Sequence, residues 1–280
     1  MKPVRLVIAA LMVACAGLST ARAQEPEPAY PDPGTFAIDW QRQVIVTNSI
    51  GAPNTNFPQP TWRASAITAA KNAAFRDLLE ALKGVAVSST TTVENMMVSS
   101  DVIRSEVEGL LRDFVTIDVK YYESMDVSMI VEVPLTGALT EALLGEELPE
   151  RPESPEPGRA RTMTGSRAVT GLVVDASGLD VTPAMAPKIV DEAGQEVYGT
   201  ADVSRQFAIT QGVVGYHNNV EAAAQNERVA GNPLVVRGIR VSGPNNCDVV
   251  ISTADANRIR EMAGNQAFLA ECRVMIVVGN

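Results

Sequence analysis

The residues of this chain that could do chemistry are few and scattered. Its single histidine, His217, sits in the run GYHNN between Tyr216 and Asn218. A hydrolase needs a base beside its nucleophile, and histidine is the usual one. A lone histidine among polar neighbours reads as a loop residue. Zinc demands several His and Cys ligands at close spacing, and the sequence has no such cluster, so neither a metal nor another cofactor is expected. The acids Asp175, Asp191, Glu192, Asp248 and Asp255 fall at expected strand ends and turns. Paired there, carboxylates could hold a cation or act as acid and base. Used singly, they serve turns and helix starts, as Asp255 would in the first turn after Thr253. The spacing matches no calcium loop. Gly212, Gly215 and Gly231 are scattered without the lysine of a phosphate loop, and Met96 and Met97 read as core filler. No catalytic residue is assigned, and an enzyme is not expected.

Three cysteines divide by position. Cys15 lies within an amino-terminal segment that reads as a secretory signal: Lys2 and Arg5, an apolar run from Leu6 to Leu18, then Ala21 and Ala23 as the small residues a signal peptidase requires. Cleavage after Ala23 is expected. The alternative is lipidation at Cys15, since Met12-Val13-Ala14-Cys15 partly fits a lipoprotein site, with Met12 where leucine is usual. The apolar run is shorter than the roughly 20 residues that span a bilayer. Cys247 and Cys272 remain after cleavage. In an oxidising compartment an even pair invites a disulfide; two buried thiols packing as small apolar groups are the other reading.

Losing residues 1–23 lowers the basic residues from 23 to 20 against 33 acidic ones, a formal charge of −13 in place of −10. So acidic a surface repels nucleic acid and anionic headgroups. Nucleic acid is therefore excluded as a partner, and membrane contact is expected only through Cys15. The expected location is the periplasm, with outer-membrane association as an option.

Two stretches rich in Pro, Glu and Gly partition the chain: residues 24–34, read as a flexible start, and 145–168, read as a linker. Between them, residues 35–144 are expected to form a βαβαββα unit. Residues 40–47 alternate as a first strand. Thr61 and Gly84 bracket a helix with Ile67, Ala70, Ala74, Leu78 and Leu82 on one stripe. Residues 85–93 are β-branched and read as a strand, and Ser99 or Ser100 caps a helix running to Leu111. Val115, Ile117, Val119 and Tyr121 alternate with polar residues, and so do Val127, Met129, Val131 and Val133, which predicts an antiparallel hairpin with one helix-covered face. A short helix over 136–144 closes the unit.

Residues 169–280 are expected to form a second unit. Its strands are read at 169–175, in a hairpin around Gly194, and at 234–241, 248–252 and 273–278, with a helix at 253–263. The fold class is α+β, two domains, each a mainly antiparallel sheet with helices on one face.

Residues 60–136, with the Ala-rich run Ala69 to Ala74, Gly84-Val85 leading to Thr92, and the closing hairpin, resemble the domain shared by Lpp-type outer-membrane lipoproteins and the amino-terminal part of flagellar assembly protein T. Segments of 169–280 look like the carboxyl-terminal region of longer relatives. That resemblance implies a Gram-negative envelope protein with a structural or assembly role, without known catalysis. Its expected partners are envelope or flagellar proteins, or a second copy of itself. Two alternatives stand beside it: a periplasmic module that binds peptidoglycan or another small ligand between the domains, and, last, a hydrolase using Asp175, Asp191 and Asp248.

Overall fold

The computed structural model describes residues 30–149, 168–263 and 267–279. The first unit holds β1 (Thr35–Asp39), β2 (Val44–Gly51), α1 (Trp62–Lys83), α2 (Val93–Ser99), α3 (Asp101–Arg112), β3 (Val115–Tyr121), β4 (Val127–Pro134) and α4 (Ala138–Leu144). Its sheet is antiparallel throughout, in the order β1-β2-β4-β3.

Two expected strands are corrected. Residues 40–43 form the turn between β1 and β2, with Gln43 at φ 53°, so only the second half of the expected 40–47 strand is extended. Residues 85–92 form no regular strand. Ala86 makes isolated bridges to Thr92 and Ala184, and Thr92 then starts α2 by accepting a hydrogen bond from the Asn95 amide at 3.3 Å. The capping group overrides the β-branched propensity of the run.

The main helix is where the sequence places it. α1 buries Ala66, Ala70, Ala74, Leu78, Ala81 and Leu82 against β2 and β4. Small side chains let the helix lie close to the sheet. At Gly51 the approach is closest: a Cβ there would overlap the Ala66 carbonyl oxygen and the Ala70 nitrogen, and would stand 2.8 Å from the Ala70 Cα.

The second unit holds β5 (Leu172–Ala176), β6 (Ile189–Val190), β7 (Glu196–Tyr198), α5 (Arg205–Gln211), β8 (Gly215–His217), α6 (Val220–Gln225), β9 (Leu234–Ser242), β10 (Asp248–Ile251), α7 (Thr253–Ala263) and β11 (Val274–Val278). The strand order is β7-β6-β10-β9-β5-β11-β8. The α+β class stands for the chain, with two sheets as expected. This sheet, however, is mixed where a mainly antiparallel one is expected: β6–β10, β5–β9, β5–β11 and β8–β11 run parallel, and β6–β7 and β9–β10 antiparallel. Parallel strands need cover on both faces. Leu172, Val174 and Ile276 face the main core, while Val173, Met275 and Val277 pack under Ala223 of α6 and Val229.

One buried cluster runs through both units, from Ile45 and Leu78 to Leu172 and Ile276. At the junction the Trp40 and Tyr216 rings meet edge to face at 5.4 Å. Tyr216, buried, accepts from the Ala184 amide and donates to the Ala184 carbonyl, each at 2.9 Å. The arm 85–92 completes the seam: Met185 N and Ala186 N donate to the Ala86 and Val87 carbonyls at 3.0 and 2.8 Å, and Asn245 N donates to Ser89 O at 3.0 Å. Leu148, within the expected linker, is part of this core; residues 150–167 of that linker lie outside the described residues.

Candidate functional site

The acids singled out from sequence are each engaged locally. Asp191 is buried; its Oδ1 accepts from the Ala193 and Gln195 amides at 3.0 and 2.9 Å, and its Oδ2 from both terminal nitrogens of Arg260 at 3.0 Å. The Gln195 amide, with Arg260 and the Ala193 amide, holds this carboxyl below the ordinary carboxylate range. Glu192 is lowered in the same sense because it accepts from the backbone amide and hydroxyl of Thr253. Asp248 accepts from the Lys188 amide at 2.9 Å. Asp255 and Ser252 cap the start of α7 reciprocally at 2.7 and 3.1 Å. His217 accepts on Nδ1 from the amides of Asn218 and Asn219. These are the turn and cap roles that compete with catalytic ones, and among the described residues no three His, Cys, Asp or Glu side chains gather as a metal set.

Of the two readings of Cys247 and Cys272, a disulfide or two buried thiols, the structure has the second: both are free and buried. Cys247 packs with Ala86 and Ala184 at the seam, whereas Cys272 belongs to the main core. Burial pushes both thiols up to about 11, so neither is a thiolate at neutral pH. Cys15, Ala21 and Ala23 lie outside the described residues.

Two surfaces that sequence reading left undeveloped are more open. The first is β3, an edge strand that pairs only with β4 among the described residues. Its register shifts between Thr116 and Asp118: Val115 lies opposite Glu132, Thr116 opposite Val131 and Asp118 opposite Ile130, so Ile117 is the extra residue of a bulge. The bulge breaks the expected alternation. Val119 and Tyr121 stay on the face of Met129 and Val127, whereas Val115 turns to the opposite face. Val115, so turned, is 56% exposed; Tyr121, at the open end of the strand, is 58% exposed, and Ile117 and Tyr122 are exposed as well. Arg63 of α1 lies over the Tyr121 ring at 5.0 Å. That cation–π contact favours one position of the ring.

The second surface is a cleft of about 370 Å³ at the carboxyl end of β5, lined by Asp175, Ser177, Gly178, Leu179, Arg237 and Ile239. It arises because β9 outruns its neighbour. β5 pairs with β9 only as far as Asp175 opposite Arg237, while β9 continues to Ser242 beside β10. Gly238 fits this corner because a Cβ there would crowd Val249 Cγ1 at 2.9 Å and Leu179 Cδ1 at 3.1 Å. Sequence reading named Asp175 but missed Arg237 and Ser177. The signal was the glycine inside the apolar run LVVRGIRV, which marks a close approach in a strand.

No curated protein matches this chain. The resemblance of residues 60–136 to Lpp-type lipoproteins and to the amino-terminal part of flagellar assembly protein T is corrected, because neither family matches and the match that is found falls on the other unit. Of the pattern that carried the resemblance, the strand leading from Gly84-Val85 to Thr92 is not formed, and the unit as a whole is ββαααββα where βαβαββα is expected. The carboxyl-terminal segments attached to that resemblance are corrected with it. Residues 171–280, from the residue before β5 onward, are similar to the family described as Treponema pallidum Tp0624, second domain.

Proposed function

We propose that this chain works outside the cytoplasm, in the cell envelope, as a non-enzymatic assembly protein that binds another protein along β3. The observation that carries this reading is the open edge of β3, with Val115 turned outward by the bulge and Tyr121 in cation–π contact with Arg63. An exposed edge offers unpaired main-chain donors and acceptors to a partner strand, and flanking side chains supply selectivity. The bulge and Lys120 blunt indiscriminate pairing, so the edge suits a specific partner better than self-stacking. Aromatic and Arg side chains such as Tyr121 and Arg63 are frequent anchors of protein contacts. The envelope location is supported by the export signal read in residues 1–23, and no helix among the described residues is long and apolar enough to cross a membrane.

A photo-crosslinking residue in place of Tyr122 tests this in cells, with the same group at exposed Lys71 of α1 as control. The expected result is a discrete protein adduct from position 122 that is absent from position 71 and lost when Val115→Asp and Tyr121→Asp are added. An adduct that survives both substitutions, or none at all, overturns the reading. The alternative, a module for a small ligand, is favoured by one observation, the cleft beside Asp175.

A further inference from the structure

We propose that the cleft at the end of β5 binds a small zwitterionic peptide, about a dipeptide in size. The site is separate from the β3 edge and does not depend on it.

Four features of the cleft specify the ligand. The Arg237 side chain makes no hydrogen bond or ion pair among the described residues, although Asp175 stands opposite it in register. Asp175 spends one oxygen only: both bonds it receives, from the amide and hydroxyl of Ser177 at 3.1 and 2.7 Å, fall on Oδ1. The cleft thus carries a guanidinium and a carboxylate oxygen from neighbouring strands, each available to a ligand. A guanidinium grips a carboxylate through two parallel N–H donors, and a carboxylate oxygen accepts from an ammonium.

The third feature is main chain. Beyond Arg237 the β5 side of β9 pairs with no strand among the described residues, so the backbone from Ile239 to Ser242 offers donors and acceptors there. A peptide bond lying along it would be bonded as in a sheet. The fourth is apolar: Ile239, exposed where β9 bulges beside β10, and Leu179 both line the cleft, so a side chain near the ligand's carboxylate has apolar cover. Opposite charges at the two ends, an amide between them and an apolar side chain describe a short free peptide. A volume of about 370 Å³ lies at the small end of ligand sites. A glycan has no charged ends for Arg237 and Asp175, and a simple anion leaves Asp175 unanswered.

The test is a titration of the purified protein with the dipeptide Ala-Leu, followed by amide NMR. Saturable shifts are expected at Gly178, Gly238 and Ile239. Arg237→Gln should weaken binding at least about tenfold, and so should amidation of the dipeptide's carboxyl end, without a further loss when the two are combined. Asp175→Asn, which keeps an oxygen for Ser177, should match the effect of acetylating the dipeptide's amino end. Tyr121→Asp should change nothing, which separates this site from the β3 edge. Absence of shifts at Gly178 and Gly238, or equal binding by acetate or by the amidated dipeptide, overturns the proposal.

Discussion

Tyr216→Phe is the substitution that asks most directly whether the two units fold as one. The phenol oxygen is buried at the seam, where it takes both the amide hydrogen and, through its own proton, the carbonyl of Ala184 at 2.9 Å. The ring itself stays, so its edge-to-face contact with Trp40 at 5.4 Å is retained. What is lost is the partner of two buried backbone groups. An orphaned buried polar group costs about 1–3 kcal/mol. With partial relaxation the pair should cost about 2–3 kcal/mol. For a chain of this length that corresponds to a Tm lower by roughly 4–12 °C. The assay is urea unfolding in a Trp62→Phe background, which leaves Trp40 as the only tryptophan, at the seam. Trp40 fluorescence and far-ultraviolet circular dichroism should then report one coincident transition, shifted as a whole by Tyr216→Phe. Two separated transitions, or a change below about 0.5 kcal/mol, would refute a shared core held by this contact.

Three further outcomes follow from other contacts. Gly51→Ala should destabilise by at least about 2 kcal/mol, because its Cβ meets helix backbone and not a mobile side chain; calorimetry showing a cost near zero would mean that α1 does not lie so close to β2. Cys247 and Cys272 should resist a thiol reagent at pH 8 in the folded protein and react once it is unfolded, with intact mass showing both as free thiols. A disulfide in the mass spectrum would contradict the placement. The carboxyl of Asp191 is lowered on folding, so the stability it contributes is present above the ordinary carboxylate range and lost as pH falls through its folded pKa. Asp191→Asn should therefore flatten the stability profile on the acid side, and an unchanged acid limb would remove Asp191 from that role.

Local signals were legible and distant pairings were not. The Ala and Leu stripe of α1, the Ser100 cap of α3 and the turn at Gly194 depend on neighbours in sequence, and each is found where the pattern puts it. At residues 85–92 two local signals conflicted: β-branched propensity lost to the Thr92 cap and to the pull of Ala184 across the seam. At β3 the period of two was right for a strand but wrong for the facing, because the extra residue Ile117 leaves no mark in an alternation it happens to continue. The parallel sheet was hidden for a different reason. β5 finds its neighbours β9 and β11 far along the chain, and nothing within Leu172–Ala176 specifies either. The cleft inherits that blindness, since Asp175 and Arg237 meet only through the pairing of β5 with β9.

The central claim is that β3 is the working edge, and hydrogen–deuterium exchange of the partner complex recovered through the Tyr122 adduct tests it most directly. The amides of residues 115–121 that point away from β4 should exchange readily in the protein alone and slow at least about tenfold in the complex, while β1, residues 35–39 at the sheet's other edge, stays unchanged. Protection that appears elsewhere and leaves 115–121 as before would contradict the account.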